Sequence, residues 1–452
     1  MPISKTDSAD EIRTVLIRLE KAAGPPLRIW GLETLERLQR GAERLGAGRC
    51  EVLGPGEFPP LELGNGSFLV LRTDLVYDER LLNGLRDSDN LVLSDRLPGQ
   101  QHPEALAAHV DAPNLLAAVA ALRRLEFHKT GPKRPGELIK ESPIRFATAL
   151  ELAPAYDPKL RKHSPPFIFL ANSENLREIE NAIFRASYKG ITDLVTKWVF
   201  PLPARTLIRV LAARGVRPNT VTGVGYVLTA LATWFFLEGW FAAGLLAGWI
   251  MTFLDTVDGK LARCTLTSSK LGDVLDHGLD LVHPPIWWAA WAWGLSSGFV
   301  GYEISTAIVV GGYVTGRLLE GVFLLFFKQE LFTWQRFDAL FRTVIARRNP
   351  NLILLSVGTA AGRPDLGFVA VAFWTLVANI VPAVRIVQAF VQRSRGIEIQ
   401  SWYEQDAATD AATNTPTTPP ATPPATPPTT PPTTPPTTPL TTGAETSSGS
   451  TH

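Results

Sequence analysis

The spacing of apolar positions changes character along this chain. In "LRIWGLETLERLQRGAERLGAGRCEVLG" a short apolar run gives way to helical spacing and then to a second run, which reads as strand, amphipathic helix and strand. "GSFLVLRTDLVYDERLLNGL" repeats the theme, a buried strand ending in Asp74 followed by a helix. This alternation predicts an α/β domain over residues 1–175. In "LREIENAIFRASYKGITDLVTKWVF" the residues Ile179, Ile183, Phe184, Ile191, Leu194 and Val195 recur near helical spacing, with charges between them. That pattern predicts one or two amphipathic helices lying on a membrane surface within 176–217, ended by Pro201 and Pro203. Further on, apolar runs near 219–238, 240–260, 273–297, 303–327 and 366–392 have about the 20 residues that a bilayer crossing needs. "NLILLSVGTAAG", near 351–362, is shorter. Six spans over 218–395 are expected, with five as the alternative.

Charge orients these spans. Arg205, Arg209, Arg214 and Arg217 precede the first, and Lys260, Arg263 and Lys270 join the second to the third. Lys328, Arg336, Arg342, Arg347 and Arg348 join the fourth to the fifth, and Arg393 and Arg395 follow the last. The opposite connections are nearly free of basic residues, so the basic loops belong on the cytoplasmic side. "MPISKTDSADEIRTVLIRLEK" is too charged for a signal peptide, which keeps the first domain in the cytoplasm too. The expectation is a multi-pass protein of the inner (cytoplasmic) membrane. A net charge of +1 offers no field for nucleic acid. Two distant cysteines, Cys50 and Cys264, offer neither a disulfide framework nor a metal cluster. Residues 396–452, rich in Thr and Pro, read as a disordered tail.

Against this apolar background stands "LDTVDGKLARCTLTSSKLGDVLDHGLDL", with five aspartates. Asp255, Asp258 and Ala262 share one helical face; Gly272, Asp276 and Asp280 share another. An aspartate at the centre of a span costs about 2.5–3.5 kcal/mol to insert, so chance placement is a poor account of them. Carboxylates from Asp255, Asp258, Asp276 and Asp280 converging in one cleft would hold a hard divalent cation, Mg²⁺ or Mn²⁺, and through it a phosphate or pyrophosphate. Gly259, Ala262 and Gly272 allow close approach, and Arg263 suits phosphate oxygens. An ion or metal transporter is the rival from another class, because acids within spans also mark ion pathways.

The run Asp255-x-x-Asp258-Gly259-x-x-Ala262-Arg263, eight residues, Gly272-x-x-x-Asp276-x-x-x-Asp280 resembles the signature of the CDP-alcohol phosphotransferase superfamily at every fixed position. "RPNTVT" resembles the Pro-Asn-x-x-Thr that opens the first span there, as Pro218, Asn219 and Thr222. The resemblance covers about 180–395 and implies an all-α, six-helix transmembrane domain with a cavity facing the cytoplasm. It implies transfer of a substituted phosphate from a CDP-linked donor to an alcohol acceptor, with release of CMP, in phospholipid or polar-alcohol synthesis. Asp255, Asp258 and Asp276 would hold metal and pyrophosphate, and Asp280 would be the general base, with a share in the metal. Asp258, Gly259, Ala262, Arg263, Gly272 and Thr222 would bind the CDP. Candidates for the acceptor are Lys270, His277, Arg317, Arg342, Arg347 and Arg348, with Glu320 as a structural partner of Arg317. "SSKLGDVLDHGLD" resembles the choline and ethanolamine phosphotransferase branch through its Asp-His-Gly, whereas phosphatidylglycerophosphate synthases usually carry proline at His277. The resemblance also implies membrane lipid as substrate and a homodimer.

The first domain resembles sugar-nucleotide pyrophosphorylases through Gly31, Glu36, Arg37 and the strand-end Asp74. Those enzymes cradle a triphosphate with a glycine-rich loop and a lysine, but here Gly24 is the only glycine within residues 1–30. The expectation is a degenerate nucleotidyltransferase-like domain with a structural or regulatory role. The alternative is a bifunctional cytidylyltransferase/phosphotransferase.

Overall fold

Runs such as "RTVLI" and "SFLVLR" are apolar at successive positions, the signature of strands covered on both faces. They lie at the centre of a six-stranded sheet in a computed structural model that describes residues 12–19, 26–59, 66–123, 144–158, 160–268, 270–296 and 301–406. Its strands are β1 (Arg13–Ile17), β2 (Arg49–Leu53), β3 (Ser67–Arg72), β4 (Leu91–Asp95), β5 (Glu104–Asp111) and β6 (Arg145–Ala147). The spatial order is β2-β1-β3-β5-β4-β6. β1 pairs parallel with β2 and β3, β5 runs antiparallel to β3 and β4, and β6 is parallel to β4. Alternation splits the core in two. Leu69 and Leu71 pack with α1 (Thr34–Arg44) and α2 (Glu79–Arg86), through Leu38, Leu81 and Leu85. Phe68 and Val70 face α3 (Leu115–Leu122), through Leu115, Val119 and Leu122.

β3 stops at Arg72, so Asp74 lies in the turn beyond it rather than at the strand end. Arg72, wholly buried, holds the Asp74 carboxylate with Nε at 3.1 Å and Nη2 at 2.7 Å, and reaches Glu104 at 3.1 Å. Asp74 therefore ties down a buried guanidinium.

A tiny hairpin, Arg28–Ile29 against Leu32–Glu33, turns on Trp30 and Gly31, both at positive φ (51° and 77°) as a two-residue turn requires. Its tip docks on helices that follow the sheet in the chain. Trp30 is buried and its indole Nε1 donates to the Glu180 carbonyl at 3.2 Å; Arg209 closes over the ring and pairs with Glu180 at 2.9 Å.

Helix α4 (Leu176–Ala186) presents Ile179, Ile183 and Phe184 to Ile29, Trp30 and Val76 on one side and to Val257 and Leu261 on the other. The amphipathic face expected on a membrane surface is here taken up by the protein's own core. Pro201 does not only end a helix. After a π-turn over Val195–Val199 it opens α5 (Pro201–Ala213), because the first turn of a helix needs no amide hydrogen there.

The apolar third forms α6 (Pro218–Leu237), α7 (Phe241–Cys264), α8 (Lys270–Leu295), α9 (Tyr302–Phe327), α10 (Arg348–Ala360) and α11 (Pro364–Ser394). Among the described residues four of these, α6, α7, α9 and α11, are long and apolar enough to cross a membrane. Helix α8 has 26 residues but begins in the acidic stretch. Helix α10 has 13 residues, about 20 Å, short of a bilayer's width. A core of Trp287, Trp288 and Trp291 from α8 with Phe236, Met251, Leu352 and Phe368 binds the helices together.

Residues 397–406, assigned to the tail by sequence, are packed instead. Ser401 is buried and donates to the Thr333 carbonyl at 3.0 Å, and Tyr403 stacks on Tyr156 with ring centroids 5.1 Å apart. The proline-rich remainder, 407–452, lies outside the described residues.

Candidate active site on the aspartate helix

Helix α7 ends in the acidic motif, and its periodicity sets Asp255 and Asp258 on one face. Asp258 is 4% exposed. Its Oδ2 accepts a hydrogen bond from Thr222 Oγ1 of α6 at 2.6 Å, and its Oδ1 accepts from the Gly259 amide at 2.6 Å. Thr222, expected to touch nucleotide, thus also fixes an acid of the site. Asp255 Oδ2 accepts from Arg348 Nη2 at 2.6 Å, at the start of α10. Gly259 leaves room for Arg263, whose Nη2 would lie 3.3 Å from a Cβ added there. Gly272, Asp276 and Asp280 lie along α8, as do Lys270 and His277, but their side chains are outside the described residues. His283, also on α8, is buried and packs edge-on to Trp287, a structural position.

Beside Asp255 opens a cavity of about 530 Å³. Arg263, Arg317, Arg342, Arg347 and Arg348 all line it, so the structure gathers five of the expected basic residues around one space. Glu320 partly balances them. It pairs with Arg347, and at 3.5 Å with Arg317. Burial, then the neighbouring Arg347 charge, pull the Arg342 guanidinium far below its ordinary range. Its Nη1 is buried with no hydrogen-bond partner among the described residues. Arg347 is lowered as well, by burial first, with Glu320 opposing. Such crowding of positive charge calls for an anion.

Sequence reasoning did not mark Lys260, Asp193 or Asn349 for the site, and all three line the cavity. Lys260 is buried with its Nζ 3.8 Å above the Tyr188 ring. Asp193 Oδ1 accepts from the amides of Val195 and Thr196, both at 3.0 Å, and from Asn349 Nδ2 at 2.9 Å. Burial pushes the Asp193 carboxyl up, but these bonds and Arg342 outweigh it and hold it below the usual carboxylate value. An aspartate ahead of a helical turn is a legible N-cap; its meeting with Asn349, 156 positions away, is not.

Residues 216–331 match the family described as CDP-alcohol phosphatidyltransferase. Over 114 residues the chain is 32% identical to an archaetidylinositol phosphate synthase of Pyrococcus horikoshii, covering 25% of this chain and 58% of that protein. It is 30% identical over 114 residues to a phosphatidylinositol phosphate synthase of Mycobacteroides abscessus, covering 24% and 52%. It is 38% identical over 78 residues to cholinephosphotransferase 1 of Danio rerio, covering 15% and 20%. The chain thus spans little more than half the length of the first two relatives. Over these residues the chain is similar to the CDP-alcohol phosphotransferase superfamily. With its long apolar helices it is an integral membrane protein.

Proposed function

We propose that the protein is a membrane phosphotransferase that moves a substituted phosphate from a CDP-linked donor to the hydroxyl of a phosphorylated alcohol. The observation that carries this reading is the meeting of the acidic motif helix, Asp255 and Asp258, with an arginine-lined cavity at the same end. The acids suit the donor's metal-bound pyrophosphate, and the surplus arginines suit an acceptor bearing its own phosphate. Two relatives are named for inositol phosphate products, which supports the same class of acceptor.

The donor set fits a divalent cation. Asp255 and Asp258 offer hard carboxylate oxygens, each with a second lone pair beyond the bond to Arg348, Thr222 or Gly259. Held by Asp255, Asp258, Asp276 and Asp280, a Mg²⁺ or Mn²⁺ ion would offset charge on the pyrophosphate and the departing CMP. Asp280 takes the proton of the acceptor hydroxyl as its oxygen bonds to the donor's distal phosphorus. The bond from that phosphorus to the bridging oxygen breaks, and CMP leaves with the electron pair. Arg263 and the small positions Gly259, Ala262 and Gly272 seat the nucleotide; Arg317, Arg342 and Arg347 seat the acceptor's phosphate, with Lys270 and His277 at its edge.

In this reading the six helices α6 to α11 build the inner-membrane domain, with the short α10 packed among the longer ones, the active site and the α/β domain face the cytoplasm, and the protein works as a homodimer. The α/β domain is nucleotidyltransferase-like without catalysing nucleotide transfer.

The test is CMP release by the protein in lipid micelles with Mg²⁺ or Mn²⁺. CDP-diacylglycerol is offered with inositol phosphate, glycerol phosphate or serine; CDP-choline, CDP-ethanolamine and CDP-inositol are offered with diacylglycerol or inositol phosphate. Metal-dependent CMP with a phosphorylated acceptor, abolished in Asp280→Asn, is expected. CMP only with diacylglycerol would move the protein to the choline and ethanolamine branch. Ion flux without CMP would replace the reading by transport.

A further inference from the structure

The α/β region meets the membrane helices at the C-terminal end of α7, the helix that carries Asp255, Asp258 and Arg263. Arg37 and Arg40 stand one turn apart on α1. Arg37 Nη1 donates to the Cys264 carbonyl at 2.7 Å, and Arg40 Nη1 donates to the Thr265 carbonyl at 3.0 Å. The last carbonyls of a helix lack partners within it and bear its negative dipole end, so two guanidinium groups there are well matched in charge and geometry. Arg37 is buried, and burial draws it down only to about 10, which leaves it charged at neutral pH. Arg40 is steadied by Glu36 at 2.7 Å. Beyond the grip the chain turns sharply. Leu266 sits in the left-handed region at φ 53°, and the Thr267 amide returns to the Ala262 carbonyl at 2.9 Å. Helix α8 then begins at Lys270, so the place where α7 stops also fixes where α8 starts.

We propose that Arg37 and Arg40 are positioning residues for the transfer reaction, through which the α/β region holds the aspartate helix at the height where its acids and Arg263 meet the donor. This rests on the phosphotransferase reading and gives that region a task without nucleotide chemistry. Glu36 and Arg37, which match a pyrophosphorylase pattern, are turned toward a helix end. Neither arginine touches substrate; both act through the backbone of residues 264 and 265.

The experiment uses the full chain in detergent–lipid micelles, as wild type, Arg37→Ala, Arg37→Lys and Arg40→Ala. Arg44→Ala, on the same helix but paired with Glu79, is the control. Steady-state CMP release gives KM for the CDP donor and for the acceptor separately, and hydrogen–deuterium exchange reads the amides of 255–268. A charge-assisted hydrogen bond lost at the helix end should raise donor KM and the exchange of 261–268 about tenfold in Arg37→Ala. The effect should be smaller in Arg40→Ala and partly reversed in Arg37→Lys, with acceptor KM unmoved throughout. A merely structural role would lower the active fraction and leave both KM values alone. Unchanged donor KM and exchange in Arg40→Ala overturn the proposal even where Arg37→Ala does not fold. If the wild type releases no CMP from any pair, the phosphotransferase reading fails, and unchanged exchange would separately remove the grip.

Discussion

Thr222 shows how far single residues could be read. The Pro-Asn-x-x-Thr pattern marked it as a nucleotide contact, yet its hydroxyl reaches Asp258 at 2.6 Å. A buried carboxylate that loses a hydrogen-bond donor is left under-solvated at a cost of about 1–3 kcal/mol. Thr222→Val should therefore weaken metal-dependent CMP release about 10–100-fold, while Thr222→Ser keeps most of it. A metal titration of CMP release decides this; wild-type behaviour of the valine variant would make the contact incidental. Asp255 and Asp258 were legible because helical spacing is a local property. Arg348 was marked for an acceptor, but its pairing with Asp255 was not foreseen, since sequence shows charge but not the partner across the cavity. The meetings of Asp193 with Asn349 and of Lys260 with Tyr188 gave no signal because these partners come from distant segments.

At the scale of elements, the hairpin tip at Trp30 and Gly31 is a tight seam between the α/β region and the helices. A Cβ at Gly31 would lie 2.4 Å from the Ala212 carbonyl oxygen of α5, and the residue already sits at φ 77°. Two penalties coincide: an unfavourable backbone conformation, about 1–2 kcal/mol for an L-residue, and a clash with backbone that cannot swing aside. Gly31→Ala should lower the thermal midpoint by several degrees, with faster amide exchange in 28–33 and 208–213; an unchanged midpoint would mean that the hairpin undocks freely. The helix after "LRIWG" followed the apolar spacing, but the strand expected in "LRIWG" is instead half of a hairpin with two-residue strands. What spacing could not tell was the owner of an amphipathic face. α4 offers the same stripe to a bilayer or to Trp30 and Val257, and only the tertiary fold decides. Pro201 similarly marks a boundary without saying on which side the helix lies.

For the whole molecule, one apolar cluster runs from Ile29 and Val76 of the α/β region through α4 and α5 to Val257 and Leu261 of the membrane segment. Regions that share a core lose their packing together. Unfolding followed by calorimetry in micelles should thus show the α/β region and the helix ends packed against it melting in a single transition. Two well-separated transitions would show independent domains. Sequence drew a border near residue 175 because composition changes there; the core does not respect that border.

The grip of α1 on α7 falls on carbonyl oxygens, and every residue type presents the same carbonyl. The two hydrogen bonds therefore ask nothing of the side chains at 264 and 265, which answer instead to burial, Cys264 within the shared apolar cluster and Thr265 against Leu261. The join behaves like a generic socket. A different helix grafted behind this α/β region would keep these two bonds if it ended at the same height, and would still need apolar side chains where Val257, Leu261 and Cys264 stand.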